Sequence, residues 1–138
     1  MSSFLESFGT AVYSTLSSGT TQSFLNDGTA GIYLGAGLRG ATAPYVVFTY
    51  SSTQDYLAQS VIRDVRLQVQ ALSNQHGPQE ALQVLNAVRQ DLHDAPLSDV
   101  SGTVIYCRED GQLQPFIDEG QYWHAIGVWR VQLQEPFV

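Results

Sequence analysis

Three groups of residues in this sequence have the types and spacing to do chemistry. The first is Gly35-Ala36-Gly37-Leu38-Arg39-Gly40. It reads G-x-G-x-x-G, the turn that holds a dinucleotide pyrophosphate, and Asp55 follows at roughly the 20-residue distance of the ribose-binding acid. The second is two carboxylate pairs, Glu109–Asp110 and Asp118–Glu119, on either side of one short stretch. Such pairs can hold a divalent cation or divide acid and base work. The third is His76, His93 and His124, with Asp91 beside His93 and many serines, the types a Ser–His–Asp relay uses.

Each group has to be weighed against its surroundings. A dinucleotide turn works because its last glycine opens a helix whose N-terminus meets the phosphates. Here Ala41-Thr42-Ala43-Pro44 and then Tyr45-Val46-Val47-Phe48 follow, a proline and a β-branched run. The glycines therefore predict a loop before a strand, and no nucleotide site. Neither carboxylate pair has calcium-loop spacing, so both predict a solvated loop. The histidines fall in three separate elements, and no serine sits in a G-x-S-x-G elbow. The single cysteine, Cys107, has no partner for an internal disulfide and no Cys or His at zinc spacing. It predicts a small buried strand residue. The expectation is no catalytic residue, no cofactor and no metal.

The elements that would position these residues can be read from periodicity. Ser3 and Glu6 form a capping-box pattern, and Leu5, Phe8, Val12 and Leu16 then mark one helical face ending at Gly19. Ile32 to Leu34 predicts a short strand, and Pro44 to Ser52 a second. The stretch from Ser52 to Ser60 reads as a long polar connection. Residues 61–73 alternate: Val65, Leu67, Val69 and Ala71 point one way, Asp64, Arg66, Gln68 and Gln70 the other. This is a half-buried antiparallel strand with one wet face. Pro78 and Glu80 open a helix whose stripe is Ala81, Val84, Leu85, Val88 and Leu92. Residues 102–110 predict a strand that ends at an acidic turn, residues 111–121 a loop, and residues 122–135 a last strand with Trp129, Val131 and Leu133 on one face. The fold expectation is α+β: a mostly antiparallel four- to five-stranded sheet with two helices on one face. The expected core is Leu5, Phe8, Val12, Val65, Leu67, Val69, Leu85, Val88, Trp129 and Val131.

Composition narrows the class of partner. The chain has 138 residues, 43% hydrophobic, which fits a single domain spanning 1–138. Its opening residues lack the basic start and apolar core of a secretory signal, and no apolar run approaches the ~20 residues that span a bilayer. There are six arginines and no lysine against 13 acids, for a formal charge of −7. Nucleic-acid binding draws most of its strength from cations meeting phosphates. This balance excludes a DNA binder or a binder of acidic membrane, but it suits a protein that sits near DNA without holding it.

Three features together resemble one family. A strand at Ile32-Tyr33 is followed by a Gly/Ala/Pro loop and Pro44-Tyr45-Val46-Val47-Phe48. An alternating strand ends at Ala71-Leu72-Ser73. A helix then runs through Ala81, Leu82 and Val84-Leu85 to Leu92. In this order, with a long acidic loop and a closing strand at residues 124–135, the chain resembles the tail-terminator proteins of long-tailed bacteriophages, also called tail-completion or head-to-tail joining proteins. The resemblance spans nearly the whole chain and rests on apolar patterns rather than chemical signatures.

The resemblance implies a structural virion protein, made in the host cytoplasm and built into the tail and neck. It implies a homo-hexameric ring that caps the tail tube, ends its growth and meets a neck or head-completion protein. DNA passes through the lumen without specific binding, and no membrane is involved. If DNA must slide, the lumen should carry acids, and the expected lumen or interface loops hold Asp55, Tyr56, Glu109, Asp110, Asp118 and Glu119. Two other readings compete: another tail or neck component of related fold, and a small hydrolase using the loop carboxylates.

Overall fold

The computed structural model describes residues 4–35, 41–57, 60–97, 100 and 102–136. Helix α1 (Phe4–Ser18) comes first, followed by two 3-10 turns at Thr21–Phe24 and Gly28–Gly31. The rest is β1 (Ile32–Leu34), β2 (Tyr45–Leu57), β3 (Ser60–Ser73), α2 (Gln79–Leu92), β4 (Thr103–Gln112), β5 (Phe116–Ile117) and β6 (Trp123–Pro136). The strands form one six-stranded sheet ordered β1-β2-β3-β6-β4, with β5 also beside β6. Only β1 and β2 pair in parallel; the other pairs are antiparallel. The class is α+β, as the sequence predicts, with six strands rather than four or five.

Alternation along β3 decides which face is dry. Val65, Leu67, Val69 and Ala71 are fully buried, and each opposes a β6 residue on the same side of the sheet: Val131, Trp129, Gly127 and Ala125. Both helices close over this face. The α2 stripe of Ala81, Val84, Leu85, Val88 and Leu92 is buried with it, and α1 contributes Phe4, Phe8, Ala11, Val12 and Leu16. Cys107 of β4 lies in the same core, where burial pushes its thiol up to about 12. Gly127 makes room for the largest core ring. A Cβ there would stand 2.7 Å from the end of the Trp129 indole and 3.2 Å from Leu85.

Three expectations need correcting. Leu5 is half exposed, and Phe4 takes the core position at that end of the helix. The reason is that β1 stops at Leu34, so the first turn of α1 overhangs an open groove lined by Leu5, Leu34, Phe48 and Tyr50. Residues 53–57 are not a connection but the far end of β2, paired residue for residue with β3. The acidic turn after β4 is also strand. Glu109 and Asp110 lie inside β4, which runs on to Gln112, and β5 forms within the segment read as loop. The capping residue Ser3 and the glycines from Gly37 to Gly40 lie outside the described residues.

Candidate functional site

The carboxylates picked out from the sequence do not converge. Glu109 points to the helix side and pairs with Arg89 of α2 at 3.0 Å. The next residue, Asp110, sits at a register shift in β4 and pairs with Arg66 at 3.3 Å. Asp118 is in the turn between β5 and β6, and Glu119 beside it is exposed. Asp55 and Tyr56 are exposed near the far end of β2, where Asp55 Oδ1 accepts the Tyr56 N–H at 2.9 Å. Among the described residues no group of three or more His, Cys, Asp or Glu stands close enough to hold a metal ion.

The triad candidates are likewise separated by structural partners. Asp91 on α2 accepts four hydrogen bonds, from the backbone N–H and hydroxyl of both Thr20 and Thr21, at 2.5 to 3.0 Å. It ties the chain leaving α1 to the last turn of α2. His93 lies 3.3 Å from Asp94 at the exposed end of α2. The described residue of the glycine motif, Gly35, continues the edge of the sheet by donating its N–H to Phe48 O at 2.9 Å.

Two polar clusters were invisible in the sequence. On the dry face, Arg63 Nε donates to Glu135 at 2.6 Å, its Nη1 to Gln54 at 2.8 Å, and its guanidinium lies 4.3 Å over the Phe4 ring. On the wet face, His124 Nε2 meets Asp118 at 2.7 Å, and Nδ1 lies 3.1 Å from Gln70 Oε1. Phe116 stacks flat on the imidazole at 4.7 Å. The partners in the Arg63 cluster are up to 72 residues apart in sequence, so no local pattern announces it.

What remains accessible is surface rather than cleft. The wet face of the sheet carries glutamines, threonines and matched charges. Arg66 and Arg108 both stand opposite Arg130 in the ladder, and each arginine is held by an aspartate: Asp110, Asp94 and Asp64. The groove under α1 is the apolar counterpart, with Leu5 50%, Tyr13 40% and Leu34 58% exposed. Such an arrangement offers docking faces. Among the described residues no helix is long and apolar enough to cross a membrane.

No curated protein matches the chain. A chain from the virion of a native gene transfer agent particle has the same fold, with a TM-score of 0.78 at 15% identity, over 91% of this chain and 92% of that one. A family model described as tail completion protein gp17 matches residues 10–122, from the middle of α1 to the start of β6. The chain therefore belongs to the tail completion protein family, a family of phage tail structural proteins.

Proposed function

We propose that this chain closes as a homo-hexameric ring on the end of the tail tube, stops its growth and joins it to the neck, while DNA passes through the lumen. The observation that carries this reading is the family match across most of the chain. The surfaces support it. The charge-matched wet face of the sheet, where Arg66, Arg108 and Arg130 stand side by side with their aspartates, is a surface that a neighbouring copy can cover. The role is structural rather than catalytic. Asp110 and Glu109 are spent on arginines, Asp91 on threonines and Asp118 on a histidine that is itself packed under a phenylalanine.

The test is imaging of particles made with and without the chain. The expected result is tubes of uncontrolled length, without heads, when it is missing, and a ring of density at the head-proximal end of the tube when it is present. Tubes of normal length without the chain would overturn the capping role. Density confined to the tube wall would favour a tube protein of related fold.

A further inference from the structure

The two edges of the sheet are protected very differently. On β4 there are two register shifts, a run of charges from Arg108 to Asp110, and a covering contact in which Asp94 donates its N–H to Cys107 O at 2.9 Å. Bulges, charges and covering chain are the devices by which proteins blunt an edge strand. The opposite edge has none of them over half its length. β1 pairs only with Val46 to Phe48, and β2 then runs on to Leu57 with no described partner on its outer side. This stretch, Thr49-Tyr-Ser-Ser-Thr-Gln-Asp-Tyr-Leu57, has no proline, no bulge and a single charge, Asp55.

Which backbone groups face outward follows from one hydrogen bond. Phe48 O accepts from Gly35 N–H on the β1 side. Alternate residues of an antiparallel strand direct their N–H and C=O to the same side, so those of Tyr50, Ser52 and Gln54 also point away from β3. The N–H of Tyr56 points outward too and is taken by Asp55 Oδ1. Beside this row of open groups lies the groove of about 640 Å³ under α1, floored by Phe48 and Tyr50 and walled by Leu5, Gly9, Tyr13 and Leu34.

An open edge next to an apolar slot is the geometry of strand addition: main-chain hydrogen bonds give affinity, and a pocket for alternate side chains gives specificity. We propose that the β2 edge, with the groove under α1, receives an extended segment donated by a different protein of the tail or neck. The segment has apolar side chains at alternate positions, one of which fills the groove. It carries Lys or Arg rather than acids, because the charge on this edge is Asp55, which has no ion pair among the described residues, and the chain as a whole is −7. A second copy is the poorer occupant, since it brings either the bulged and charged β4 edge or another β2 edge, whose residues 49–57 hold the acid Asp55 and no Lys or Arg. The proposal does not require a closed ring.

A photo-crosslinking residue at Ser52, in purified particles, tests the assignment. The expected adduct joins this chain to another virion protein, within a stretch of alternating apolar residues. An adduct to a second copy, an adduct to residues 36–40 of the same chain, or none at all would overturn the proposal. Two proline variants give an independent readout. Ser52→Pro removes an outward N–H and should melt within a few degrees of wild type while losing the donated segment. Thr53→Pro removes a ladder N–H and should unfold. Particles in which Ser52→Pro retains the cross-linked partner, detected from a probe at Leu34, would also overturn it. Ring density on the tube end, read from the same particles, tests the capping role separately.

Discussion

Asp118 and His124, six residues apart, meet across the turn between β5 and β6, Oδ2 to Nε2 at 2.7 Å. The turn closes on the same carboxylate: Oδ1 accepts the Tyr122 N–H at 3.0 Å, and Asp118 N–H in turn donates to Tyr122 O. The His124 hydrogen bond first, and the Tyr122 N–H second, hold the Asp118 carboxyl below its ordinary value of 3.8.

The sign of the pH effect follows. A carboxyl whose folded value is depressed contributes stability that is present above its unfolded value and lost as pH falls through the folded one. Acidification below the ordinary carboxylate range should therefore loosen this turn. Asp118→Asn should flatten the low-pH limb of a melting-temperature profile and leave the neutral limb lower throughout. NMR signals of Phe116 and His124 that keep their neutral-pH positions in Asp118→Asn would show that the contact does not hold the turn.

Leu85 is 1% exposed, in the α2 stripe that closes over Leu67, Val69 and Trp129. Truncation to alanine removes a buried isobutyl group and leaves a cavity, which costs about 2–5 kcal/mol. Leu85→Asp buries an unpaired charge and should leave the chain insoluble or unfolded. Thermal melts decide it: a Leu85→Asp protein that melts within a few degrees of wild type would mean that α2 does not pack as described.

Asp91 is a structural anchor, and two substitutions should show it from opposite sides. Asp91→Ala leaves four donors of Thr20 and Thr21 without their acceptor. Loss of hydrogen bonds to a charged group at a partly exposed site should cost about 2 kcal/mol. At Gly19 any Cβ would land on the same carboxylate, so Gly19→Ala should cost a comparable amount by displacing it. Because both act through one contact, the double variant should be less than additive. Full additivity in chemical denaturation would break the link between them.

How much of this could be read in advance depended on whether neighbours in space were neighbours in sequence. The β3 alternation and the α2 stripe are local and were legible to within a residue or two. The far half of β2 was not. Thr53 to Asp55 has the composition of a loop, and it is a strand because β3 pairs with β2 from Tyr45 to Leu57. Leu5 kept the helical spacing of a core residue but lies where β1 has already ended. Of the acids that looked like a loop cluster, Glu109 and Asp110 lie in β4 and are matched by Arg89 and Arg66, partners that no spacing rule indicates.

The glycine motif gives a plain negative prediction. Calorimetry with NAD or ATP should show no binding heat, and Gly37→Ala should leave that unchanged. Gly35 differs, because its φ of +85° is one that side chains rarely adopt. Gly35→Ala should lower the melting temperature for that backbone reason alone. Micromolar binding of either nucleotide would overturn the reading of this segment as structural.

Charge sets the last expectation, which concerns assembly. Each copy carries −7, so copies brought together in a ring repel one another at low salt. The Debye length falls from ~10 Å at 0.1 M salt to ~3 Å at 1 M, so added salt should favour self-association if repulsion is the brake. If copies close around DNA, acids already paired within the chain are the poorer candidates for the lumen. Glu109, Asp110 and Asp118 are matched by Arg89, Arg66 and His124. Asp55 and Glu119 are exposed and have no ion pair among the described residues. Glu119→Arg should therefore slow DNA passage, and Asp55→Arg should instead weaken the donated segment on the β2 edge, while Asp110→Asn, which only frees Arg66 on the wet face, should affect assembly more. Sedimentation across salt concentrations and DNA ejection rates from variant particles separate these effects. A chain that stays monomeric at every salt concentration and never caps a tube removes the ring. A ring whose narrowest point is lined by Arg39, Arg63 or Arg108 keeps the function and removes the acidic lumen; Arg63 is the least available of these, because its guanidinium is committed to Glu135, Gln54 and the Phe4 ring.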